Sequence, residues 1–192
     1  MKTFRYLILF VLLFPVSLLA ERPNVILIIS DDHAWTDYGF LGNEKIRSPH
    51  IDQLAAEGLT FTRGYVTTAL CSPSLATMLT GLYTHQHGIT GNDPVKGKDR
   101  DVWLDRFFEN PMLPKLLADA GYNTMHTGKY WMRQPAAAGF THDNGETGRH
   151  GGKSLDIGRK TMKPIYDFMD QSIENKKPFF VWYAPFLPHT PH

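Results

Sequence analysis

The stretch CSPSLATMLTG, Cys71 to Gly81, holds the only cysteine among 192 residues. It stands where a helical pattern begins, and a helix amino terminus favours an anion, whether a thiolate or a substrate oxyanion. Asp31 and Asp32 close the run NVILIISDD. Adjacent carboxylates repel each other and need a cation or strong donors to stay ionised together. Their hard oxygens suit calcium or magnesium. Lys129, in HTGKYW, follows a glycine and has the charge to clamp an anionic group. His189, in PHTP, is of the type that serves as a general acid or an anion ligand. Each also has an ordinary reading: an Asp-rich turn, a small buried apolar residue, a solvated lysine, and a loop histidine beside two prolines. His85 and His87, in YTHQHG, form an i,i+2 pair that reads as structural.

The elements around these residues alternate. The apolar run Val25 to Ile29 fits a strand buried on both faces. SPHIDQLAAEG carries helix punctuation: Ser48 as cap, Pro49 in the first turn, Gly58 at the end, with Ile51, Leu54 and Ala55 on one face. LTFTRGYV alternates like a strand, and a helix closed by Gly81 follows Cys71. LPKLLADAG predicts a helix that groups Leu113, Leu116, Leu117 and Ala120, and YNTMHTG the next strand. Residues 134–152 read as a long polar loop. Ile165, Phe168, Met169 and Ile173 then mark a helix, and PFFVWYAPF a buried strand. Strands alternating with helices predict an α/β fold with a mostly parallel sheet and functional residues at the strand ends.

Composition narrows the class. The first twenty residues carry Lys2 and Arg5 and then an apolar run to Ala20, the layout of a secretory signal. The alternative, a membrane anchor, would need a longer run than this one, which Pro15 interrupts. Residues 21–192 then form the mature region, with no membrane span left after cleavage. Removing two basic residues from 20 leaves 18 against 19 acidic ones, a net charge of −1. No basic stripe points to nucleic acid. One cysteine allows no internal disulfide. The chain stops just after a buried strand, where loop residues should carry function, and is expected to be the amino-terminal part of a longer protein.

The ordered segments RPNVILIISDD, SPHIDQLAAEGLTFTRGYV, CSPSLATMLTGLYTHQHG, LLADAGYNTMHTGKY and PFFVWYAPFLPHTP resemble the sulfatase family, within the alkaline-phosphatase-like superfamily. The resemblance implies an exported, secreted or periplasmic enzyme that hydrolyses the sulfate ester of a small molecule or polysaccharide. It implies that a formylglycine-generating enzyme oxidises Cys71 to formylglycine. One hydroxyl of the hydrated aldehyde attacks sulfur, the alcohol leaves, and the second hydroxyl helps expel sulfate and restores the aldehyde. It assigns Asp31, Asp32 and residue 71 to a calcium ion (magnesium as the alternative), Lys129 to the sulfate, and His189 to the sulfate or the leaving oxygen. Two positions depart from the pattern. Leu75 stands where the family has an arginine that guides the modification, and Trp131 where it commonly has histidine. The family's later Asp-Asn pair and second lysine would lie beyond residue 192, so these 192 residues alone are expected to be inactive. A phosphate or phosphonate ester hydrolase of the same superfamily, or a non-catalytic module that binds sulfated glycans, are the rival readings.

The leader predicts that exported protein begins at Glu21. Amino-terminal sequencing checks this, and Met1 retained in a membrane fraction would contradict it.

Overall fold

A computed structural model describes residues 22–130, 132–144 and 152–190. The leader, Trp131, and residues 145–151 of the polar loop, Arg149 and His150 among them, lie outside the described residues. Four strands form one parallel sheet: β1 (Val25–Ile28), β2 (Asn123–Gly128), β3 (His142–Asp143) and β4 (Phe179–Ala184), in the order β1-β4-β2-β3. The helices are α1 (Pro49–Glu57), α2 (Cys71–Thr80), α3 (Thr84–His87), α4 (Arg100–Phe108), α5 (Leu113–Asp119) and α6 (Lys163–Glu174).

The middle strand shows why the sheet needs two layers of cover. Successive side chains of a strand point to opposite faces. In β4, Phe180, Trp182 and Ala184 join the core beneath α2, with Leu75, Leu79, Ile89, Leu104 and Phe107. Phe179 and Val181 pack the other way, onto Ile165 and Phe168 of α6 and Met125 of β2. A strand buried on both faces reads as an unbroken apolar run, as PFFVWYAPF does.

Other sequence expectations need correction. Among the described residues β1 pairs with β4 alone, and Val25, Ile26 and Ile28 are exposed rather than buried on both faces. LTFTRGYV forms no strand, and Leu59, Phe61 and Tyr65 are largely exposed. Its alternation had no partner strand to make it a ladder. Ser48 takes the N-cap position of α1, but its hydroxyl serves no helix amide: it accepts from the Gly39 amide and donates to Asp52 Oδ1, each at 2.8 Å. Ile51 and Leu54 stay exposed. Leu113 and Leu117 of α5 pack on the core while Leu116 does not, and Ile173 of α6 is likewise exposed.

Three of these elements, α3, α4 and β3, are not among those the sequence pattern predicts. In α4, Asp99 is the cap, accepting from the Asp101 and Val102 amides at 2.7 and 3.2 Å. β3 is a two-residue addition to β2, inside the stretch read as a loop.

The end of β2 is set by glycine. Gly128 has φ +81°, and a Cβ there would lie 1.9 Å from the Ala184 carbonyl oxygen. Only glycine allows that conformation and that approach. The next amide, of Lys129, then donates to the same carbonyl at 2.7 Å.

His126 of β2 is fully buried among Tyr130 and Phe140. Burial pushes its pKa down to about 3, against a weaker opposing contribution from the Gly128 backbone. The folded pKa lies below the unfolded value of 6.5, so the unfolded chain binds the extra proton between these limits. Stability is therefore full above pH 6.5 and falls as pH drops towards 3. Urea unfolding should show a loss of about 2 kcal/mol between pH 7 and 5. His126→Leu should remove most of that slope, leaving the smaller contribution of His87, whose pKa burial also lowers.

Candidate active site

Pairing continues past the ends of β1 and β4. The Ile29 amide donates to the Tyr183 carbonyl and the Asp31 amide to the Leu187 carbonyl, both at 2.9 Å. Asp31 thus bridges to Pro188, which follows a cis peptide bond. This pairing carries the next residue of each chain segment together: His189 Nε2 lies 3.5 Å from Asp32 Oδ2. Asp32 itself adopts φ 56°, a left-handed conformation that aspartate tolerates better than most residues.

Lys129 leaves the end of β2 on the far side of β4. Its ammonium donates to both carboxylate oxygens of Asp31, at 2.8 and 2.7 Å. The two side chains are 3% and 8% exposed. The solvated-lysine reading is therefore excluded, and in this structure Lys129 contacts Asp31. The Trp182 indole donates to the Lys129 carbonyl at 3.1 Å, fixing the backbone as well.

Cys71 is the first residue of α2 and is partly exposed. One ligand atom each from Asp31, Asp32 and Cys71 lie within 4.8 Å of one another. These three residues share a cleft of about 460 Å³ with Lys129, His33 and Leu75. Two carboxylates beside a single ammonium leave excess negative charge and hard oxygen donors, which suits calcium or magnesium. The thiol sulfur is a soft donor and suits such a cation poorly; an oxygen-bearing group at residue 71 would complete the set better.

The five sequence candidates thus converge: Asp31, Asp32, Cys71 and Lys129 line the cleft, and His189 adjoins Asp32. His33 was not foreseen. Its Nδ1 lies 2.9 Å from the Tyr38 hydroxyl, and its ring centroid 4.3 Å from that of Tyr38. Its only sequence signal was the place after Asp32. His87 takes the structural role expected of it, buried with hydrogen bonds to Thr77 and the Ile89 amide, whereas His85 stacks on Tyr83.

Removing one partner of a buried ion pair leaves the other charge uncompensated. Lys129→Met should cost roughly 3 kcal/mol or more in urea unfolding at pH 7. Adding Asp31→Asn should recover most of the loss, and an undiminished loss in the double variant would refute the pairing.

A family model described as Sulfatase matches residues 23–192. An N-acetylglucosamine-6-O-sulfatase of Bacteroides thetaiotaomicron is 35% identical over 130 residues, covering 68% of this chain and 21% of that protein. An N-acetylgalactosamine-6-sulfatase of Sus scrofa is 27% identical over 211 aligned positions, covering 89% of this chain and 40% of its own length. The chain therefore spans less than half the length of these relatives. Among solved structures, Ps i-CgsB in complex with k-i-k-neocarrahexaose matches with a TM-score of 0.71 at 27% identity, covering 88% of this chain and 46% of that one. BT4656 in complex with its substrate D-glucosamine-2-N,6-O-disulfate matches with a TM-score of 0.66 at 30% identity, covering 88% and 35%. With the parallel sheet between helices and the family match along nearly all described residues, the chain belongs to the sulfatase family, with its alkaline-phosphatase-like fold.

Proposed function

We propose that the protein carrying this chain hydrolyses sulfate esters of a glycan, with residue 71 as the nucleophile after conversion of Cys71 to formylglycine. The observation that carries this reading is the meeting of Asp31, Asp32, Cys71 and Lys129 in one cleft at the carboxyl ends of parallel strands, with His189 beside Asp32. Relatives named for sulfated amino sugars, and a related structure holding a glucosamine disulfate, support the substrate class.

Asp31 and Asp32, with an oxygen of modified residue 71, would hold a calcium ion, or magnesium in its place. That ion supplies positive charge for sulfate oxygens and for the attacking hydroxyl. Lys129, itself buried, contributes a second fixed positive charge, which acts more strongly there than in solvent. It remains close to Asp31 while drawing an incoming sulfate. His189, beside Asp32, would donate a proton to the departing sugar oxygen. The amino end of α2 adds a positive field at residue 71. A modifying enzyme that oxidises Cys71, and export from the cytoplasm, complete the reading.

Leu75 is 5% exposed and lines the cleft at the place of the family arginine. It offers neither charge nor donor. Cys71 should be converted incompletely in a host whose modifying enzyme relies on that arginine. Leu75→Arg should raise conversion several-fold, as read by mass spectrometry of the peptide; full conversion of the native sequence would contradict this.

In fully converted protein carrying this chain, a sulfated glycan should be hydrolysed and its phosphate analogue should not. Calcium chelation, Asp31→Ala and Asp32→Ala should each lower turnover at least about 100-fold, a loss of roughly 2.7 kcal/mol of transition-state stabilisation. Preferred phosphate turnover would favour the phosphoesterase reading. Glycan binding without turnover would favour a binding module.

A further inference from the structure

We infer that Asn92 is a positioning residue for residue 71, acting as a cap supplied from another part of the chain. The first amides of a helix have no partner within it, and a side chain at the cap position ordinarily serves them. In α2 that position is Leu70, which has no acceptor. The Ser72 amide, one residue after Cys71, instead donates to Asn92 Oδ1 at 3.0 Å across twenty residues of sequence. The partner is an amide N–H, so the carbonyl oxygen of the Asn92 side chain must face it.

The segment that presents Asn92 is itself tied to α2. His87 Nδ1 accepts from the Ile89 amide at 3.0 Å, which leaves the proton of a neutral ring on Nε2. Nε2 then donates to Thr77 Oγ1 at 3.2 Å, and that hydroxyl lies 2.9 Å from Thr67 Oγ1. Ile89 is fully buried in the same core as Leu75, Ala76 and Leu79 of α2. Residues 84–92 therefore grip α2 twice: mid-helix through His87 and at the first turn through Asn92. The first grip fixes the helix against the core. The second fixes the turn that sets residue 71 against Asp31 and Asp32, where the ligand atoms must stay within a few ångströms of one another.

This inference rests on the reading of residue 71 as the nucleophile, but its test needs no turnover. Hydrogen exchange of the peptide that begins α2 and iodoacetamide alkylation of Cys71 are measured on the unmodified chain. Asn92→Ala should speed exchange of that first turn at least tenfold and alkylation at least threefold, with β2 and β4 unchanged. Asn92→Asp, which keeps an acceptor oxygen, should return exchange to within twofold of the native chain. If Asn92→Ala does not fold, Asn92→Ser, whose hydroxyl is too short to reach, takes its place. Unchanged exchange in these variants, faster exchange throughout the sheet, or no recovery with aspartate would overturn the inference. If the exchange pattern holds but converted protein hydrolyses no sulfate ester, the proposed function falls and the positioning of Cys71 stands.

Discussion

The buried pair between Lys129 and Asp31 is the constraint around which the site is built. Desolvating each ion costs several kcal/mol, and attraction offsets that cost only where geometry is good and the remaining polar groups are satisfied. Here the ammonium meets both carboxylate oxygens. The two residues sit at the ends of β1 and β2, which do not touch each other but flank β4. Their meeting depends on both strands being parallel to β4 and on β2 ending at the level of Ala184. Gly128 permits that ending, because any Cβ would collide with the Ala184 carbonyl.

The same pair shapes what the cleft can bind. An ammonium already shares Asp31, so a dication entering beside Asp32 would divide that carboxylate with Lys129 rather than find it free. The charge left over resides mainly with the more exposed Asp32, which His189 approaches from the extension of β4. Leu75 is one of the apolar residues that wall the cleft, and it is buried. It packs in the core that holds α2 to β4, so one of the two residues that depart from the family pattern also contributes to the fold.

The position of residue 71 is decided at a distance. α2 lacks a cap of its own, and its first turn is completed from residue 92. Residue 71 and the carboxylates of Asp31 and Asp32 therefore come from separate segments, held together by a core in which Leu79, Ile89, Phe107 and Trp182 are almost completely buried.

Much of this was legible in the sequence. The apolar run of β4, the helix from Cys71 to Gly81 and the strand before Gly128 follow from composition and spacing, because local pattern and burial agree there. The types of Asp31, Asp32, Cys71, Lys129 and His189 already pointed to anion and cation chemistry. Other features depend on partners that a local pattern does not contain. LTFTRGYV alternates but finds no neighbouring strand, and β1 is apolar yet exposed at Val25, Ile26 and Ile28. Lys129 reads alike whether solvated or buried; only the parallel register across β4 brings it to Asp31. Asn92 carries no sequence signal as a cap, since its partner lies twenty residues away. Sequence determined which chemical groups and elements are present. Tertiary structure decided which of them meet, because burial and register are properties of segments brought together from distant parts of the chain.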